Sequence, residues 1–215
     1  MKIIDIGLKK YREAYEFQLE LVEKVSRGLE PDTLIITEHY PIITLGRRSK
    51  LENILASEEE LNNLGIEVLK IDRGGDVTYH GPGQLVAYPI MKLENEAKDI
   101  HIFLDYLEEV GLDFLSRYNV SGSKKSGYRG VWVGEQKIAS IGIGVKKWVT
   151  YHGIAININT RLKDFSLITP CGIKDIGMTS LEKVLGKRID IDHAKDRLVS
   201  SFKEVSLLAK ADAYK

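Results

Sequence analysis

From Tyr128 to Asn159 the chain reads YRGVWVGEQKIASIGIGVKKWVTYHGIAININ. Three runs rich in Val, Ile, Trp and Tyr are separated by Gly134-Glu135-Gln136 and by Lys146-Lys147-Trp148. β-branched and aromatic runs joined by short polar links are antiparallel strands connected by tight turns. The stretch therefore predicts a three-strand meander: Tyr128 to Val133, Lys137 to Val145 and Thr150 to Asn159. Side chains alternate between the two faces of a strand. Ile138, Ser140, Gly142 and Gly144 then share one face of the second strand, and Tyr151, Gly153, Ala155 and Asn157 one face of the third. If those faces coincide, the small residues leave a trough that suits either an extended hydrocarbon chain or a closely packed helix. Alternation puts Lys137 on the opposite face, with Ala139, Ile141, Ile143 and Val145.

Outward from the meander, helices and strands are mixed. Residues 9–28 carry Tyr11, Ala14, Tyr15, Leu21, Val22 and Val25 at helical spacing and stop at Gly28. Thr33 to Thr37 and Ile42 to Leu45 read as strands about the turn-like Glu38-His39-Tyr40-Pro41. Ser57 with Glu60 forms a capping box for a short helix ending near Gly65. Asp99 caps a longer helix with Ile100, Phe103, Leu104, Leu107 and Leu115 on its buried side, and Gly111 weakens its second half. A short helix near Ser180–Leu185 and a last one from Asp192 complete the chain. Without regular βαβ alternation, the expected class is α/β of the α+β type, a mixed and largely antiparallel sheet with helices packed on it. At 215 residues this is one catalytic domain, 1–215, with a core at about 30–180 and a C-terminal helical segment at about 178–210.

Composition narrows the function classes. The 31 basic and 31 acidic residues cancel, which removes any broad electrostatic reason to bind nucleic acid or a membrane surface. Local basic clusters stand at Arg47-Arg48-Lys50, Lys124-Lys125-Arg129 and Lys146-Lys147, and an acidic partner could use one of them. One cysteine excludes an internal disulfide, no apolar run approaches bilayer length, and Met1-Lys2-Ile3-Ile4-Asp5 enters a strand pattern, so a cytoplasmic location is expected. Five scattered histidines and one cysteine offer no close metal-ligand spacing, so no metal is expected. Phosphate-loop, dinucleotide and serine-elbow signatures are absent.

Two places carry chemistry. Arg73-Gly74-Gly75-Asp76-Val77-Thr78-Tyr79-His80-Gly81-Pro82-Gly83-Gln84 is a polar, glycine-rich insert between two strand-like runs, Ile66–Ile71 and Leu85–Ile90. It is longer than a strand link requires, and it combines close backbone approach with hydrogen-bonding side chains. Cys171 is the only thiol, set between Pro170 and Gly172 in an irregular stretch rather than on an apolar face. A cysteine on such a loop can act as a nucleophile if something keeps it a thiolate. Lys137 is the candidate: burial disfavours its charge and a nearby thiolate favours it.

These residues together resemble the lipoyl(octanoyl) transferases. The 73–84 segment is similar to that family's signature, Lys137-Ile138-Ala139-Ser140-Ile141-Gly142 to its lysine-bearing strand, His152-Gly153-Ile154-Ala155-Ile156-Asn157 to the strand after it, and Pro170-Cys171-Gly172 to its nucleophile loop. Glu38-His39 with Thr44-Leu45-Gly46 fits the N-terminal block. The resemblance implies the catalytic fold of biotin and lipoate protein ligases. It implies transfer of an octanoyl group from octanoyl-acyl carrier protein to a lysine of lipoyl domains, those of 2-oxoacid dehydrogenase E2 subunits and the glycine cleavage H protein. Carried over residue by residue, Cys171 forms the acyl-thioester and Lys137 activates it. Arg73 to His80, Ser140, Ile141 and Gly142, and Gly153, Ile154 and Ala155 line the substrate site. A thioester donor is already activated, so no cofactor is expected. The rivals are an ATP-dependent lipoate or octanoate ligase on the same fold and a non-catalytic module that binds acyl groups or carriers.

Overall fold

A computed structural model describes residues 1–172 and 176–207, with all their side chains except those of Glu96 and Cys171. Two sheets carry the fold. The chain opens with β1 (Lys2–Lys9), α1 (Tyr11–Ser26), β2 (Thr33–His39) and β3 (Ile42–Leu45). It continues through α2 (Glu58–Asn63), β4 (Glu67–Lys70), β5 (Val77–His80), β6 (Gln84–Ile90) and α3 (Ile100–Ser116). β7 (Ser123–Lys125), β8 (Tyr128–Val133), β9 (Gln136–Lys146), β10 (Val149–Asn157), α4 (Leu181–Leu185) and α5 (Ile191–Glu204) follow. The large sheet has the order β1-β2-β6-β10-β9-β8-β7, parallel only between β1 and β2; the small one has the order β4-β3-β5.

Each face of the large sheet is covered by helix. On one face Phe103, Leu107 and Phe114 of α3 and Leu198 and Phe202 of α5 pack on Leu85, Ile154 and Ile156. On the other, Ala14, Leu21, Val22 and Val25 of α1 pack on Ile35, Val86 and Tyr88. The small sheet has its own core, Ile43, Val77 and Tyr79 against Phe165 and Ile168. The expected caps form: Ser57 Oγ accepts from Glu60 N, and Asp99 Oδ1 accepts from His101 N and Ile102 N. The last helix is capped by Asp190 rather than started by Asp192. Residues 208–210 of the expected C-terminal segment lie outside the described residues.

Three expectations change. His39 belongs to β2, and the corner at Tyr40-Pro41 takes the chain out of the large sheet and into the small one. The polar insert after Ile71 is not a loop between paired strands, because β4 and β6 lie in different sheets and the insert contains β5, paired with β3. Val-Thr-Tyr-His is a good strand sequence, but its glycine-rich neighbours hide it. Last, the pairs Val131↔Ala139 and Trp132↔Lys137 show a β-bulge at Ile138. A bulge breaks the two-residue alternation, so Ile138 and Ala139 both join the α3 core. Lys137 therefore does not share the face assigned to it by simple alternation.

Candidate active site

The site forms where the small sheet leans on β9. The turn after β3 is tied to the 73–76 segment by Gly46 N to Asp76 O (3.3 Å), Arg47 N to Arg73 O (2.9 Å) and Arg48 N to Gly75 O (3.1 Å). Gly74 N donates to Ile143 O (2.8 Å), which joins this segment to β9. Arg73 is 8% exposed and acts as a brace. Its guanidinium donates to Gly74 O (2.7 Å), Asp76 O (2.7 Å) and Thr44 Oγ1 (3.3 Å), charge-assisted bonds that hold carbonyls of the loop. The arginine stem crosses Gly142, where a Cβ would come within 2.8 Å of Arg73 Cδ. Only glycine admits that approach.

The result is a cavity of about 460 Å³. Arg73, Gly74, Gly75, Asp76, Thr78 and His80 form one wall, and Lys137, Ser140, Ile141 and Gly142 another. Val77 and Tyr79, expected with them, point the other way into the small core, as alternation along β5 requires. Tyr79 Oη donates there to Asp164 Oδ2 (2.8 Å). Gly153, Ile154 and Ala155 are also not among the lining residues. The small faces of β9 and β10 do coincide, with Ser140↔Ala155 and Gly142↔Gly153 paired. The neighbouring strand closes this end: a Cβ on Gly153 would sit 2.2 Å from Ala87 O. Ile154 packs in the α3 core and Ala155 in the α1 core.

The outer wall is not evident from the sequence. Ile100, Leu104 and Tyr128 line the cavity, and Ile100 is 43% exposed instead of buried. An apolar pair four residues apart in the first turns of a helix is the available signal, and helical period alone assigns such a pair to the core.

Lys137 is 2% exposed. Its stem runs over Gly130, Nζ donates to Arg129 O (2.7 Å), and the Trp132 ring centroid is 5.6 Å from Nζ. Its backbone is paired to the segment beyond Cys171, through Lys137 N to Gly177 O (2.8 Å) and Thr179 N to Lys137 O (2.9 Å). Pro170–Gly172 forms a 3-10 turn against β5. Gly172, at φ +67°, lies so close to Asp76 that a Cβ would be 2.4 Å from Oδ2. Asn53 Nδ2 donates to that same oxygen (2.8 Å), and Asn53 O accepts from Thr169 N (2.8 Å). The Cys171 backbone is thus held beside the Asp76 end of the cavity; its side chain lies outside the described residues.

Beneath the site, three histidines scattered in sequence converge. His39 Nε2 bonds Tyr88 Oη (2.6 Å), His152 bonds Tyr11 Oη (3.2 Å) and Asp72 Oδ1 (3.2 Å), and His80 Nδ1 bonds Gln84 Oε1 (2.7 Å). Gln84 Nε2 in turn donates to Asn157 Oδ1 (3.0 Å). Burial pushes all three imidazoles down, His39 to about 4 and His80 well below its ordinary range. The His152 hydrogen bond holds the Asp72 carboxyl well below the usual carboxylate range. These bonds make the cluster a rigid polar support. Among the described residues, no three such side chains are grouped to hold a metal ion.

The arrangement can seat an acyl chain against β9, with a buried ammonium in the same wall and a cysteine-bearing turn at one end. Comparison with known proteins shows what the chain resembles. The sequence matches the lipoyl protein ligase A/B catalytic domain family over residues 10–203. An octanoyltransferase from Caldicellulosiruptor saccharolyticus is 46% identical over 208 residues, 95% of this chain and 88% of its own. Among solved structures, a bi-partite lipoate protein ligase from Thermoplasma acidophilum has a TM-score of 0.71 at 16% identity, covering 95% of this chain and 82% of that one. The biotin protein ligase of Aquifex aeolicus has a TM-score of 0.57 at 17% identity, covering 100% of this chain and 72% of that one.

Proposed function

The chain belongs to the lipoyl protein ligase A/B catalytic domain family, and from that premise we propose that it moves its acyl group in two steps through Cys171. It is an octanoyltransferase acting in protein lipoylation, and its acceptors are proteins that carry lipoyl domains. The finer reading concerns donor, acceptors and residues. The donor is octanoyl-acyl carrier protein, and the acceptors are the E2 subunits of 2-oxoacid dehydrogenases and the glycine cleavage H protein. The reaction runs in the cytoplasm, where a lone cysteine stays reduced.

In the first step Lys137 holds Cys171 as a thiolate, which attacks the thioester carbonyl. Backbone N–H groups of the 73–76 segment or of the Cys171 turn stabilise the oxyanion. The carrier thiolate leaves and takes up a proton from Lys137, which is left as a neutral amine, and the octanoyl group remains on Cys171 Sγ. In the second step the acceptor lysine, as a free amine, attacks that thioester. The amine proton passes to Lys137 or to the departing thiolate, Cys171 is released, and the octanoyl group ends as an amide. Splitting the transfer this way replaces one hard step by two easier ones. The cavity reads chain length, since each buried methylene contributes about 0.8 kcal/mol.

The observation that supports this best is Lys137, a lysine at 2% exposure in the cavity wall, whose backbone is paired to the segment following Cys171. The test is a transfer assay with octanoyl-carrier protein, a lipoyl domain and no ATP. Octanoyl-amide should form at full rate. Product that appears only with free octanoate and ATP would assign the chain to the ligase branch of the family instead.

A further inference from the structure

The mouth of the cavity carries a surface that the reaction itself does not use. The turn Gly46–Ser49 presents Arg47 and Arg48 to solvent, with Arg48 at the lip of the cavity. The hydrogen bonds from Arg47 N and Arg48 N to the 73–75 segment fix this turn rather than leave it to swing. Arg47 reaches the Tyr151 hydroxyl, and among the described residues no carboxylate forms an ion pair with either guanidinium. The other basic clusters are committed internally. Lys124 pairs with Glu109 (2.8 Å), Lys125 with Glu135, and Lys146 and Lys147 both with Glu23 (2.9 and 2.8 Å).

Beside the arginines, Leu51 and Leu55 are 75% and 62% exposed. Their segment is joined to the approach to Cys171, by Leu55 N to Leu167 O (2.8 Å) and Thr169 N to Asn53 O (2.8 Å). Exposed leucines next to cations without carboxylate partners, around the entrance to a site that must admit a protein-borne chain, describe a docking patch.

We propose that Arg47, Arg48, Leu51 and Leu55 form the docking surface for the acyl-donor protein, and that this partner presents an acidic face with apolar residues at its centre. The assignment rests on the transferase reading above. A donor docked here brings its thioester to the mouth beside the Cys171 turn. Arginine suits the task because its planar fork pairs with the carboxylates of an acidic face. Charges at a rim act mainly on encounter and on salt dependence, and less on the chemistry that follows.

The test compares two donors on the same enzyme, octanoyl-carrier protein and a small octanoyl thioester with no protein attached. In the Arg47→Glu/Arg48→Glu variant, the ratio of kcat/KM for carrier to that for small thioester should fall about tenfold or more, chiefly through KM. The Arg47→Lys/Arg48→Lys variant should recover most of the ratio. In the parent enzyme, raising salt should lower kcat/KM for the carrier and leave the small thioester unaffected. A ratio unchanged by charge reversal overturns the docking surface, as does a loss seen only with the lipoyl-domain acceptor. If neither donor acylates the parent enzyme, the transferase reading has failed, a result distinct from a failure of docking.

Discussion

A lysine ammonium at 2% exposure is costly unless its charge is met, because several kcal/mol of hydration are lost on burial. Lys137 recovers part of that from Arg129 O and the Trp132 face, within the cavity wall. Arg73 solves the same problem by giving its guanidinium to carbonyls of its own loop. His39, by contrast, is buried without its charge, held down to about 4 from an ordinary 6.5. On acidification the unfolded chain takes up this proton first, so the His39 contribution is complete above about pH 6.5 and is lost between about 6.5 and about 4. By about pH 5 the loss is roughly 2 kcal/mol. Burial shifts His80 and His152 in the same direction, so their losses add to it. The urea midpoint should therefore drop between about pH 7 and pH 5, and His39→Gln should shrink the drop while lowering stability at neutral pH. Equal midpoints at the two pH values would contradict the neutral, buried assignment. The sequence allows residues 39, 80 and 152 to converge but does not show it, since they meet only through strand order.

At the scale of elements, helix α3 is set by contact rather than propensity. Gly111 costs the helix about 1 kcal/mol relative to alanine, yet a Cβ there would lie 2.6 Å from Val131 Cγ2 and 3.1 Å from Ile154 Cδ1. Overpacking of that kind costs about 1–3 kcal/mol. Gly111→Ala should therefore lower Tm, and adding Val131→Ala should restore part of the loss. A higher Tm for the single variant would show that propensity wins. The meander, the caps at Ser57 and Asp99 and the helix from Tyr11 were readable because period and capping are local signals. The bulge at Ile138 was not readable, because it is defined by what lies opposite on β8. It is this bulge that takes Lys137 out of the face it would share with Ala139 by alternation. Strand β5 was hidden for a related reason: its partner β3 precedes it by about thirty residues, and glycines flank it on both sides.

For the whole molecule, the large sheet supplies Lys137 and the Ser140–Gly142 floor, and the small sheet supplies the 73–80 wall. The segment from Leu162 to Thr179 links the two, touching β5 at Pro170–Gly172 and β9 through Lys137. Cys171 lies in that link, so the fold brings its backbone beside a segment nearly a hundred positions earlier in the chain. The cavity walls at Arg73–Asp76 and at Lys137 and Ser140–Gly142 were legible in the sequence because each lies in a short motif. The outer wall at Ile100 and Tyr128 was not, because only tertiary packing turns those side chains toward the cavity. The central claim is the covalent intermediate, and intact-mass analysis tests it most directly. After mixing with octanoyl-carrier protein and no acceptor, the chain should gain one octanoyl group, on the peptide bearing Cys171. That group should leave when a lipoyl domain is added, and Cys171→Ala should neither gain it nor turn over. An adduct on another residue, or transfer by Cys171→Ala at the parent rate, would contradict the account.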